Sequence, residues 1–219
     1  EYGGSFEVSW IEPEYADQKR WRKGMEAGLL CLYRLNEGNS TISNYGRIHP
    51  GYTKSKRRKT GVRGGQVEDH SMNRNEAKPH PKSSWFDYSN PRSKTWMGYH
   101  WSEKYSLRAH EQVSYPDNIV YRLTQPVRDH ELAYIGETSD PVNRMRGHYN
   151  DFGDEVAFEF TSTGYMNAKS RRLEVETDLI GVYYLIYGYP PSEQFTNEYK
   201  PTNSSRSANS DDQTEMMDY

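Results

Sequence analysis

The chain has 219 residues, of which 33% are apolar and 14% aromatic, with 19 Tyr and a formal net charge of −3. Cys31 is the only cysteine, which excludes a disulfide framework and a cysteine-rich zinc site, and no apolar run reaches the ~18 residues of a membrane span. A mean hydropathy of −1.08, with 17 Gly and 11 Pro, is low for one globule of this size, so part of the chain is expected to lie outside a core.

The small net charge hides an asymmetry. Residues 1–110 hold 19 Lys/Arg against 12 Asp/Glu, residues 111–199 hold 7 against 15, and residues 200–219 hold 2 against 4. The expected organisation is a basic, aromatic-rich extension over 1–110, an acidic core over 111–199 and a polar, disordered tail over 200–219. A lone thiol suits a reducing compartment, and no signal-peptide pattern opens the sequence, so the expected location is cytoplasmic.

Within the extension, Phe6 to Ile11 alternates as a strand, and a helix is predicted around Trp21 to Tyr33. Residues 36–95 are poor in aliphatics and read as loops, with one short strand near Thr41 to Ile48. Inside them, Lys54, Lys56, Arg57, Arg58, Lys59 and Arg63 form a cationic run without an acid. Such a run suits the backbone of a polyanion. From Trp85 to Leu107 the sequence is aromatic and predicts an irregular layer packed on the C-terminal core.

The pattern sharpens from Asn118. Ile119-Val120-Tyr121-Arg122-Leu123 and Leu132-Ala133-Tyr134-Ile135-Gly136 are two β-branched and aromatic runs that predict an antiparallel hairpin with a longer loop. Thr138-Ser139-Asp140-Pro141 is a helix start, with a capping residue ahead of a Pro suited to the first turn. Val156 to Thr161 alternates as a third strand. Asn167 to Ile186 predicts a long helix that ends before Gly188, Pro190 and Pro191. The predicted class is α+β, a small β-β-α-β-α core with helices flanking an antiparallel sheet, plus the irregular basic N-terminal extension.

These residues resemble the GIY-YIG nuclease superfamily over residues 118–197. The family opens with Gly-Ile-Tyr or Gly-Val-Tyr, matched here by Ile119-Val120-Tyr121, and Tyr-Ile-Gly is intact as Tyr134-Ile135-Gly136. Arg144 follows Tyr134 at the family's offset, with His148 four residues on. Glu176-Thr177-Asp178-Leu179-Ile180 matches the helix that carries the family's metal ligand, and Asn197 is a loose match to a later Asn. Ile119 replaces the first motif Gly, so a modified rather than abolished geometry is expected.

The resemblance implies catalytic roles for Tyr121, Tyr134, Arg144, His148 and Glu176, with Glu176 holding Mg²⁺ or Mn²⁺. The chemistry suits the residue types. A guanidinium fork fits phosphate, and a carboxylate on Mg²⁺ leaves positions for water and phosphate oxygens. A tyrosine can position or deprotonate the attacking water. A free phenol titrates near ~10, however, so a neighbouring cation (Arg144, Arg146, His148 or the metal) is expected to depress it. An acidic core cannot supply DNA affinity alone, which falls instead to Lys54, Lys56, Arg57, Arg58, Lys59 and Arg63.

The function implied is Mg²⁺-dependent hydrolysis of double-stranded DNA by an endonuclease of the restriction type. Alternatives are a homing or structure-selective enzyme of the same superfamily, and a catalytically degenerate DNA-binding module. No membrane partner is expected, and one active site per chain implies a homodimer on DNA.

Overall fold

The structure, a computed structural model, describes residues 9–15, 17–38, 40–41, 44–45, 89–125 and 131–196. Lys54, Lys56, Arg57, Arg58, Lys59, Arg63, Asn197 and the tail 200–219 lie outside the described residues. So does most of the two short strands expected at 6–11 and 41–48, and their described residues form no strand.

Helix α1, Lys19–Glu37, covers the predicted segment and extends it at both ends. It stops at Gly38, whose φ of 70° lets its N–H return to the Arg34 carbonyl at 2.9 Å. The remaining elements are β1 Tyr105–Ser106, β2 Ile119–Thr124, β3 Leu132–Thr138, α2 Pro141–Phe152, β4 Ala157–Thr161 and α3 Lys169–Tyr187. The strands form one antiparallel sheet in the order β1-β4-β2-β3, flanked by helices, so the fold is mixed α+β. The short edge strand β1 has no counterpart in the sequence expectations. Among the described residues, no helix is long and apolar enough to cross a membrane.

Strand β2 is central and buried at every position, because both sheet faces are covered. Alternation sends Ile119, Tyr121 and Leu123 toward α2, where they pack with Leu107, Met145 and Phe158. Val120 faces the other way and joins Ile135, Val175, Leu179 and Tyr183 under α3. The aromatic layer also belongs to this second core, through Trp96, Tyr99 and Trp101. Arg122 holds that layer down. Buried on β2, it pairs with Glu159 on β4 at 3.0 Å, donates to the carbonyls of Pro91, Arg92 and Ser93, and lies 4.3 Å from the Trp101 ring centre.

Helix α3 is buried on two sides, between the sheet and α1, so its sequence carries no single apolar stripe. Its contact with α1 depends on small residues. A Cβ at Gly181 would stand 2.5 Å from the Ala27 carbonyl oxygen and 2.6 Å from Cys31 Cβ. Farther along, Arg34 Nε meets Asp178 Oδ2 at 3.0 Å and Arg34 Nη1 meets Glu174 Oε1 at 3.2 Å, all three side chains buried. We expect Gly181→Ala to force the two backbones apart and cost about 1–3 kcal/mol. A lower urea midpoint with an unchanged m-value checks this, and an unchanged midpoint would show that the seam has slack.

Candidate active site

Helix α2 starts where the sequence signals it. The Asp140 carboxylate accepts from the Asn143 N–H at 3.3 Å, and Pro141 occupies the first turn. This start places Arg144 and His148, one helical turn apart, against the sheet. Arg144 Nε donates to the Tyr121 hydroxyl at 2.6 Å, and Arg144 Nη2 donates to the Tyr134 hydroxyl at 3.2 Å. The Tyr121 hydroxyl also lies 2.8 Å from His148 Nε2. The structure therefore brings together four of the five predicted catalytic side chains. Tyr121 and His148 are buried, Tyr134 is half-buried, and Arg144 is exposed, so the cluster opens to solvent on the arginine side.

Gly136 explains why the tyrosines can meet. It sits opposite Tyr121 in the β2–β3 register. A Cβ there would stand 2.5 Å from Tyr121 Cζ and 2.8 Å from Tyr134 Cε1, with the Tyr121 hydroxyl nearer still. The glycine gives up a side chain so that the Tyr121 ring can cross the edge strand. Sequence spacing identified Gly136 only as a motif letter, because its reason lies in cross-strand register. Ile119 is fully buried among the α2-side core residues and does not line the solvent-facing side of the cluster. Tyr121 reaches Arg144 and His148 with that isoleucine in place.

The electrostatics depart from expectation in one respect. Burial raises the Tyr121 phenol far above its usual value, outweighing the nearby Arg144. Burial likewise raises Tyr134, with Glu176 adding to it. His148 is pushed down to about 3 by burial and then by Arg144, so it is a neutral imidazole rather than a helping cation. Arg146 turns away to Glu111 at 2.9 Å. Arg144 pulls both phenols down, as expected, but burial outweighs it. Arg144 donates to the Tyr121 oxygen, and the same hydroxyl lies within hydrogen-bond distance of His148 Nε2, which donates or accepts according to its tautomer.

Glu176 is half-buried on α3 and makes no hydrogen bond or ion pair with any described residue. Burial, then the charge of Glu137, pushes its carboxyl up to about 8, with Arg144 and Lys169 pulling the other way. Its neighbours on the helix have other partners: Glu174 accepts from Ser40 and Tyr165, at 2.5 and 2.7 Å, and Asp178 pairs with Arg34. A carboxylate left without a partner in a low-dielectric position fits a bound cation. The described residues offer no group of three or more His, Cys, Asp or Glu able to hold a metal. Glu176 is the one predicted ligand in place, and a metal held by it would take its other positions from water and substrate oxygens.

Comparison with protein-family models, with curated proteins and with solved structures finds no match to this chain.

Proposed function

We propose that this chain is a Mg²⁺-dependent (or Mn²⁺-dependent) endonuclease of GIY-YIG type that hydrolyses phosphodiester bonds in double-stranded DNA. The observation that carries the reading is the convergence of Tyr121, Tyr134, Arg144 and His148 within hydrogen-bond reach, with the unpartnered Glu176 on the adjacent helix. The β2-β3-α2-β4-α3 order supports it as the order of that superfamily's core.

Arg144 is exposed and already presents donors between the two tyrosines, so a substrate phosphate would meet a fixed guanidinium fork there. Tyr121 has no exposed surface at rest, so the attacking water would reach its oxygen once the Arg144 guanidinium turns to the phosphate. As that water loses its proton to Tyr121, the phenol proton passes to His148 Nε2, so no free tyrosinate accumulates in a buried site that disfavours it. Tyr134 orients the guanidinium and borders the phosphate position. Glu176 would hold the Mg²⁺, which when bound would supply Lewis-acid stabilisation of the developing charge.

Affinity for duplex falls to the basic run of the extension, since the core carries excess negative charge. Exchanging Lys56, Arg57, Arg58 and Lys59 for Gln is expected to weaken duplex binding and flatten its salt dependence by roughly four counterions. An unchanged salt slope rules the run out. A basic N-terminal extension before the catalytic core fits a restriction-type enzyme, and two copies would act together to cut both strands. Plasmid incubated with the protein and Mg²⁺ tests the function. Discrete fragments support site-specific cleavage, whereas random nicking supports a structure-selective or nonspecific nuclease. Intact plasmid that is nonetheless bound would overturn the enzymatic reading in favour of a degenerate DNA-binding module.

A further inference from the structure

Glu137 follows Gly136 on β3 and pairs with Val120, so it lies on the sheet face covered by α3, opposite the Tyr121 face. Arg172 stands on α3 one turn before Glu176, on the same side of the helix. Arg172 is buried and fully engaged. Its Nε donates to Glu137 Oε2 at 2.7 Å, and its Nη1 donates to Asn118 Oδ1, the Met166 carbonyl and the Asn167 carbonyl at 2.6, 3.0 and 3.1 Å. The clamp ties the start of β2, the end of β3 and the turn before α3 to one guanidinium. It also fixes the Glu137 carboxylate beside the turn of α3 that bears Glu176.

Only one oxygen of Glu137 is used. Oε1 has no partner among the described residues, and neither does the Glu176 carboxylate. Arg172 offsets one negative charge of the pair but donates nothing to Glu176. Arg172, bonded to Glu137 and one helical turn from Glu176, brings the two carboxylates to one side of α3, and like charges gathered there are relieved by a cation between them.

We propose that Glu137 is a positioning residue of the cation site: anchored by Arg172, it holds through Oε1 a water in the shell of the divalent ion that Glu176 ligates. The inference rests on the metal reading of Glu176 and extends it to a residue outside the motif. Mg²⁺ and Mn²⁺ retain several waters when bound by one carboxylate, and outer partners that orient those waters carry much of the affinity.

The test is Mn²⁺ binding, followed by electron paramagnetic resonance and calorimetry on the full chain without DNA. Wild type, Glu176→Gln, Glu137→Gln and Glu137→Asp are compared. Glu137→Gln keeps an oxygen for Arg172, and Glu137→Asp keeps the charge while withdrawing the carboxylate. Both are expected to weaken Mn²⁺ binding by about 10–100-fold. The Mn²⁺ concentration giving half-maximal plasmid cleavage should rise by the same factor, and Glu137→Gln, which keeps an acceptor for Arg172, should lose less thermal stability than Glu137→Asp. If Glu176→Gln loses Mn²⁺ while both Glu137 variants bind it as wild type does, the role of Glu137 is overturned and that of Glu176 stands. If wild type binds no Mn²⁺, or binds it equally well as Glu176→Gln, the metal reading itself fails and Glu137 falls with it.

Discussion

Glu176→Gln is expected to remove Mg²⁺-dependent cleavage, a loss of several kcal/mol of transition-state stabilisation or roughly 10³-fold or more in rate. Duplex binding should stay within about twofold, because affinity resides mainly in phosphate neutralisation elsewhere. The substitution is nearly isosteric, and Glu176 makes no bond to any described residue, so no packing or ion pair is lost with it. The fold should even gain at high pH. With its carboxyl raised to about 8 from an ordinary 4.5, folded Glu176 keeps a proton that the unfolded chain has released. The folded state binds more protons across that window, so in EDTA this residue makes stability fall as pH rises from 4.5 toward 8. Melting temperature against pH should decline less steeply in Glu176→Gln, and Mg²⁺ should offset the decline only in wild type. Full cleavage by the variant would remove Glu176 from the metal site.

Gly136→Ala, a single methyl, is expected to cause the second-largest loss of activity. The new Cβ enters the space of the Tyr121 ring, which has no exposed surface and is held at its hydroxyl by Arg144 and His148. It also crowds Tyr134 from the other side. Overpacking of this kind costs about 1–3 kcal/mol of stability, and a displacement of ~1 Å at a reacting group costs about 10²-fold in rate. The atom nearest the added methyl is the Tyr121 hydroxyl, which gives the prediction a second arm. Tyr121→Phe combined with Gly136→Ala should regain part of the lost stability, because the closest contact disappears, and none of the activity. Single-turnover cleavage and urea midpoints of the four proteins in this cycle measure both effects. Additive stabilities would mean that the methyl and the hydroxyl do not meet.

The parts of this architecture legible in the sequence are those written in local patterns. The β2–β3 hairpin, the Asp140–Pro141 start of α2 and the Gly188 stop of α3 each follow from periodicity or capping chemistry. One helical turn puts Arg144 and His148 on one face, but that this face meets Tyr121 was implied by the resemblance and not by spacing. Burial was not legible. Expecting a neighbouring cation to depress a tyrosine weighed Arg144 correctly but could not weigh the loss of water around Tyr121, which dominates. Nor does spacing reveal that Glu174 and Asp178 turn to α1 while Glu176 stays unpartnered, since Arg34, which draws both, lies over a hundred positions away. The role of Arg172 is not written in spacing either: it is defined by Glu137 and Asn118 on the sheet side and by two carbonyls in the turn before α3.

The close seam between α1 and α3 has a consequence for recombination. A chimera that takes the chain from residue 111 onward as a cassette would strand Tyr184, which Gly24 and Gly28 adjoin, on an open surface. It would also leave the Glu174 and Asp178 carboxylates without Arg34. The helix that supports Glu176 would lose half its shelter, although every motif residue had been transferred. Residues 19–37 therefore travel with the motif, and the unit of inheritance for this site is discontinuous in the chain.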